Sequence, residues 1–226
     1  MPGFKSKKQN CCNARRTTDT AIFYNRFLKG KLDLNSSPIT GDFSVLPNKT
    51  VILNTFDLVL SNLLPLRGGM LIHCSGVRWG KHTLLFPAVS TSGKSTIANI
   101  LDRNRAVRVI DDEANVLWKR APGRYEIQRY PFRDPVGVAQ NEQRFPVSYI
   151  FFLCGKGAND IRPLTQKEAL RLLLRNTFQV LLNSKGMERM LEVASHVVKD
   201  VPCFALSFKK DESIIGFLAG ELGLPR

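Results

Sequence analysis

The sequence predicts an α/β fold built on a mixed sheet, with a phosphate-binding loop in the sheet and helices towards the C-terminus. Three observations predict it. An apolar strand, His82 to Phe86, runs straight into a Gly-Lys-Ser loop and a helix. A second short strand ends in two adjacent carboxylates, Asp111 and Asp112. The remainder alternates apolar strand runs with amphipathic helices.

Composition sets the frame for these elements. The chain has 226 residues, 43% of them hydrophobic, which is enough to bury one sizeable core and excludes disorder as the dominant state. Thr50 to Leu66 is the longest apolar region, and Asn54, Asp57, Asn62 and Pro65 break it well short of a membrane span, so no membrane partner is expected. The N-terminus lacks the apolar stretch of a secretory signal, which places the chain in the cytoplasm. Lys and Arg number 33 against 19 Asp and Glu, a formal charge of +14. The basic residues cluster in the first twenty positions and are otherwise scattered without interleaved aromatics, so nucleic acid is not the expected partner. Five cysteines show no metal-ligand spacing. Cys11 and Cys12 lie in the tail, and Cys74, Cys154 and Cys203 read as small core residues.

Residues 1–20 read as a polar, basic tail without order, and 21–226 as one nucleotide-binding domain. From Ala21 to Leu46 the pattern is irregular, with turn signals and short strand-like pieces such as Asp42 to Leu46. Phe56, Val59, Leu60, Leu63 and Leu64 then recur at helical spacing, and Pro65 ends that helix. Next come a strand over Met70 to Cys74, a turn near Ser75 and Gly76, a short strand Val77 to Trp79, and a tight turn at Gly80 and Lys81. The buried strand His82 to Phe86 follows.

That strand delivers the most informative stretch: Ala88, Val89, Ser90, Thr91, Ser92, Gly93, Lys94, Ser95 and Thr96. It fits the phosphate-loop (Walker A) pattern GxxxxGK[ST], with Ala88 in place of the first glycine. In such a loop backbone N–H groups and the start of the next helix surround phosphate oxygens, a lysine neutralises them, and a hydroxyl ligates magnesium. Lys94 and Ser95 are placed for the last two roles. The competing explanation is a chance Gly-Lys-Ser at the start of a helix, here Lys94 to Arg103. The strand before it and the helix after it weigh against chance.

After this helix, Ala106 to Asp112 forms a strand ending in Asp111 and Asp112. A strand end beside a phosphate loop suits a magnesium ligand or a catalytic base, whereas the plain alternative is a solvated turn. Only one helix and one strand separate Lys94 from these carboxylates. Beyond them, Asn115 to Lys119 and Arg124 to Tyr130 read as a hairpin, and Arg129, Arg133 and Arg144 as candidate anion contacts or surface arginines. Val147 to Leu153 is a continuous apolar run and so a central strand. Thr165 with Glu168 forms a capping box for a helix through Leu170, Leu173, Leu174 and Leu181. A second helix over Met187 to Val198 carries Met187, Met190, Leu191 and Val197 as core, with His196 a packing or surface residue. Cys203 to Phe208 returns as a strand, and Glu212 to Leu222 closes the chain as a helix.

The strand carrying His73, the hairpin, the phosphate loop, one helix and then Val-Ile-Asp-Asp together resemble HPr kinase/phosphorylase and its shorter relatives, which share a fold superfamily with the phosphoenolpyruvate carboxykinases. The resemblance runs from about Gly68 to Leu117 and is softer beyond. It implies that Lys94 binds the phosphates of ATP, that Ser95 and Asp111 serve Mg2+, and that Asp111 and Asp112 share metal binding and proton acceptance. His73 matches an active-site histidine of that family, and its alternative is a structural histidine. The glutamate-arginine-glycine signature of the bona fide HPr kinases has no clear counterpart near Glu126 to Arg133, and their amino-terminal domain has no match here.

The resemblance therefore implies a kinase transferring the γ-phosphoryl of Mg-ATP to serine in a protein or peptide other than HPr. Two alternatives stand beside it: a nucleotide-binding partner protein with weak catalysis, and a nucleic-acid-stimulated ATPase. Carboxykinase chemistry on small acids is a weaker fourth option. A homo-oligomer is compatible with the sequence.

Overall fold

The computed structural model describes residues 13–16, 20–24, 28–33, 40–45, 49–89, 92–130, 144–178, 180 and 184–225. Among them the chain is mixed α/β, with three sheets and five α-helices. Strands β1 (Asn13–Arg16), β2 (Thr20–Tyr24), β3 (Leu28–Asp33) and β4 (Thr40–Val45) pair in order as an antiparallel meander. The sequence predicts an unordered tail and an irregular region over these residues. Over β3 and β4 the strand signal is weak because exposed Lys29 and Lys31 face exposed Ser44 and Asp42 across the ladder, a polar row without apolar alternation.

Helix α1 (Lys49–Leu63) runs into a 3-10 turn at Leu64–Arg67, which contains Pro65 and is closed by Gly68 at φ 76°. Leu60 and Leu64 pack with Leu71, Val116 and Tyr130. Phe56, expected on the buried face, is 37% exposed. The chain then enters β5 (Gly69–Ile72) and β6 (Cys74–Trp79) with no turn at Ser75 and Gly76. The break falls at His73 instead, where the chain leaves one sheet and joins another.

The remaining elements are β7 (His82–Pro87), α2 (Lys94–Leu101), β8 (Val107–Asp111), β9 (Asn115–Ala121), β10 (Arg124–Arg129), β11 (Arg144–Pro146), β12 (Tyr149–Lys156), β13 (Asp160–Pro163), α3 (Gln166–Arg175), α4 (Ser184–Asp200), β14 (Cys203–Phe208) and α5 (Ser213–Leu222). The larger sheet has the order β13-β14-β12-β7-β6-β8, in which β7, β12 and β14 are parallel and β6 runs against both its neighbours. The smaller sheet has the order β11-β10-β9-β5. The chain crosses between these two sheets three times, at His73, over Asp112 to Ala114, and at Val147 and Ser148 between β11 and β12.

Two apolar layers cover the larger sheet. Leu84 and Phe86 of β7 face α2 and α5 together with Ile97, Phe151, Leu206 and Leu218, while Leu85 faces Ile72, Leu117, Ile150, Leu173 and Val197 on the other side. Such alternation follows from the two-residue period of a strand, and burial on both faces explains the unbroken apolar runs of β7 and β12. Each fully buried Leu, Ile or Phe contributes roughly 1.5–3 kcal/mol. The outer edge of β8 is blunted: Val107 N–H donates to Asn104 O at 2.9 Å and Val109 N–H to Asp102 Oδ1 at 3.4 Å.

Towards the C-terminus, the capping box forms at Thr165 and Glu168. Helix α3 stops at Arg175, because Asn176 to Phe178 turn back along β5, with a bridge between Ile72 and Thr177. Leu181, expected to extend this helix, lies outside the described residues. On α4, Met190 and Val197 are buried as expected, but Met187 and Leu191 are 39% and 38% exposed. They sit one position off the stripe formed by Met190, Val193, Ala194 and Val197. Cys74 and Cys203 are core residues, whereas Cys154 is exposed at the irregular end of β12, and Cys11 and Cys12 lie outside the described residues. No helix among the described residues is long and apolar enough to cross a membrane.

Candidate functional site

The phosphate-loop sequence stands where the parallel strands of the larger sheet end. Ala88 is 4% exposed, and its N–H donates to His73 O at 3.3 Å, prolonging the β6–β7 pairing past Cys74 and Pro87. Backbone still engaged in strand pairing tolerates a Cβ, so alanine serves where the pattern has glycine. Ser90 and Thr91 lie outside the described residues. Ser92 donates to Val89 O through both its N–H, at 3.3 Å, and its hydroxyl, tightening the loop before α2.

Gly93 caps α2 with φ 102° and ψ 15°, a left-handed conformation that disfavours any side chain. A Cβ there would also stand 3.2 Å from Cζ of Phe208, at the end of β14. Helix α2 begins at Lys94 and buries Ile97, Ala98, Ile100 and Leu101, leaving Ser95 exposed and Thr96 half-buried. Lys94 bends back over the loop and its Nζ donates to Ala88 O at 2.7 Å and Val89 O at 3.2 Å. Partial burial lowers its pKa below the ordinary lysine value, opposed by the nearby Cys74, Glu113 and Asp112. The carboxylate turn after β8 therefore lies in the electrostatic neighbourhood of the loop lysine.

Asp111 closes β8 opposite Gly76. Its side chain is 8% exposed; Oδ1 accepts the N–H groups of Glu113 at 2.9 Å and Ala114 at 3.2 Å, and Oδ2 faces Arg129 Nε at 3.4 Å. Burial raises its pKa above the usual aspartate value, against the pull of those hydrogen bonds and of Arg129. Asp112 is exposed, and its carbonyl accepts the hydroxyl of buried Ser75 at 2.9 Å. The two carboxylates, equivalent in sequence, thus occupy different surroundings.

His73 meets the loop through its backbone, since its carbonyl takes the Ala88 N–H and its own N–H donates to Asn176 O at 2.7 Å. Its half-buried ring stacks on Phe178 with centroids 3.9 Å apart. Of the three candidate arginines, Arg129 reaches Asp111, Arg144 is exposed with its guanidinium 5.8 Å from the Trp118 ring, and Arg133 lies outside the described residues. His196 contacts Lys119 Nζ through Nδ1 at 2.8 Å, away from these groups in sequence and sheet.

Two residues near the site escape sequence reasoning. Asn115 is fully buried, and its amide donates to Cys74 O at 2.9 Å, tying β9 to β6 beside the crossover. Phe208 supports Gly93 from a strand remote in sequence. A polar residue opening the apolar run Asn115 to Trp118 is the signal that marks the first; the second has none. Among the described residues, no group of three His, Cys, Asp or Glu side chains converges to hold a metal. Magnesium at phosphate sites needs only a hydroxyl and one or two carboxylates besides phosphate and water, which Ser95 and the Asp111–Asp112 turn can offer.

No protein-family model matches the chain, and no curated protein sequence matches it. Among solved structures, the HPr(Ser) kinase/phosphatase from Coxiella burnetii is similar over 68% of this chain and 98% of its own, with 10% sequence identity and a TM-score of 0.39, a distant likeness of fold.

Proposed function

We propose that this chain binds Mg-ATP at Ala88 to Thr96 and transfers the γ-phosphoryl group to a serine hydroxyl of a protein or peptide. The observation that carries this proposal is Lys94. Its ammonium is gathered over the loop carbonyls at the head of α2, in reach of the fields of Asp112 and Glu113. The left-handed Gly93 supports it, because it lets the backbone turn into the helix with N–H groups leading.

Lys94 exchanges its carbonyl partners for phosphate oxygens. Bound Mg-ATP supplies the phosphoryl group and a cation that offsets the charge on the phosphates, with Ser95 and Asp111 as the residues to hold the metal. Asp111 Oδ2 is the oxygen suited to that role, since Oδ1 is committed to two backbone N–H groups and the Oδ2 contact with Arg129 is a long 3.4 Å. Asp112, exposed beside it, orients the acceptor and takes its proton as the serine oxygen bonds to phosphorus and the bond to the leaving diphosphate oxygen breaks. His73 contributes through its backbone bond to Ala88 and its ring on Phe178, as a support of the loop.

One observation favours a second proposal, a nucleotide-binding partner protein without transfer. Asp111 is used inside its own turn, by two backbone N–H groups and Arg129, as a purely structural aspartate would be. One experiment separates the two. Mg-ATP is titrated calorimetrically into wild type and Lys94→Ala, and the same samples are then analysed by mass spectrometry for phosphate on serine-containing candidate peptides. Binding lost in the variant together with labelled peptide supports the kinase; binding without labelling of any peptide supports the partner protein. No binding by folded wild type overturns both.

A further inference from the structure

A cluster of cations stands at the end of the larger sheet opposite the phosphate loop. The β6–β8 ladder pairs Arg78 directly with Arg108 and Trp79 with Val107, and the Gly80 N–H donates to Ala106 O at 3.0 Å. These contacts bring Arg78, Lys81, Arg105 and Arg108 together. Lys81, Arg105 and Arg108 are exposed. Arg78 is half-buried and held in place, its Nε donating to Gly80 O at 2.7 Å and its guanidinium lying 5.6 Å from the centroid of the Phe145 ring.

Among the described residues, no carboxylate pairs with any of the four, whereas Arg103, Arg120, Arg162 and Arg189 all have a glutamate partner. The acid in the neighbouring turn, Asp102, has its Oδ1 on the Val109 N–H. Two arginines directly opposite each other on a sheet repel, and the repulsion is relieved by an anion lying between them. Guanidinium forks match carboxylate geometry, and one of these two is already immobilised on backbone and ring.

We infer that this end of the sheet is a docking site for an acidic peptide segment of a protein partner, whose carboxylates engage Arg78 and Arg108 with Lys81 and Arg105 at the rim. The compactness of the patch favours a peptide over nucleic acid, which calls for cations spread along a strand and free aromatic faces, while the ring here, Phe145, is engaged with Arg78. The site is separate from the phosphate loop. β6 has six residues between the two ends, about 20 Å at the rise of a strand, so the inference does not depend on the proposed transfer.

The test is fluorescence anisotropy of a labelled twelve-residue peptide of alternating Glu and Gly, with the full chain at low salt. The Arg105→Gln/Arg108→Gln protein should bind about tenfold more weakly than wild type, and Arg78→Lys, which keeps the charge but loses the fork, about threefold more weakly. Arg171→Gln/Arg175→Gln on α3 removes the same charge and should bind as wild type does; circular dichroism verifies that each variant is folded. Mg-ATP should leave peptide binding unchanged. Equal weakening by the α3 pair, no binding by wild type, or tighter binding of a single-stranded DNA twelve-mer with the same loss in the Arg105/Arg108 variant would each overturn the inference.

Discussion

The ring of Phe208 occupies the space that a side chain on Gly93 would need, its Cζ standing 3.2 Å from the position of a Cβ there. Together with φ 102° at Gly93, this makes glycine necessary for two separate reasons. Gly93→Ala should therefore lower stability by about 1–3 kcal/mol and weaken Mg-ATP binding. Phe208→Leu in the same chain removes the contact but not the backbone strain, so it should restore neither fully. Urea unfolding and calorimetry of the single and double variants check this, and full rescue would show that the contact alone matters.

Asp112 is exposed and holds Ser75 through its backbone carbonyl, so its carboxylate can be changed at little structural cost. Asp112→Asn should change stability by less than about 0.5 kcal/mol and leave Mg-ATP binding intact. Phosphoryl transfer should fall by at least about a hundredfold. Steady-state assays beside calorimetry measure both, and wild-type turnover would remove Asp112 from the role of base.

Asp111 behaves differently because burial outweighs its hydrogen bonds and raises its pKa. A carboxyl raised on folding adds stability that is fully present below its unfolded pKa, about 3.9 for aspartate, and is lost as pH rises through the raised native value. Arg129→Gln removes a stabilising charge from the carboxylate and should push that value higher, widening the window. Carbon-13 titration of the Asp111 carboxyl in wild type and Arg129→Gln tests the order, and a wild-type value below the ordinary aspartate range would reverse it.

Thr165 and Glu168 cap α3 reciprocally, with Glu168 N–H on Thr165 Oγ1 at 3.3 Å and Thr165 N–H on Glu168 Oε2 at 2.9 Å. The Thr165 backbone bond, the Thr165 hydroxyl and Arg162 pull the Glu168 pKa down to about 2. This contribution is present above the unfolded glutamate value and is lost as pH falls towards about 2. Thr165→Ala should cost about 1 kcal/mol at neutral pH. It should also flatten the acid limb of the stability profile between about pH 4.5 and 2, as followed by thermal unfolding.

Much of the fold is legible in local signals. The helix after Lys94, the strand ending at Asp111, the hairpin of β9 and β10, the capping box and the final strand and helix all follow from periodicity and end-capping that act within a few residues. The misjudged places share a different cause. Phe56, Met187 and Leu191 are apolar at helical spacing, yet which stripe is buried depends on the neighbouring element, and Cys154 is exposed because β12 bulges at its end. The strands β1 to β4 pair through ladder hydrogen bonds, and in β3 and β4 the exposed row of Lys29, Lys31, Asp42 and Ser44 is polar, so no apolar alternation announces that pair.

The site divides along the same line. Sequence alone determined that a loop with Gly93, Lys94 and Ser95 sits between a strand and a helix, and that two carboxylates end the next strand, because backbone geometry and functional groups at these positions are set over short spans of chain. Only the tertiary structure decided that His73 is one of the crossovers between sheets, that Asn115 binds Cys74, that Phe208 supports Gly93, and that Asp111 turns inward to Arg129 while Asp112 faces solvent. Each of those outcomes depends on which strands pair, and pairing between segments far apart in the chain is settled by burial of whole faces rather than by any residue's own preference.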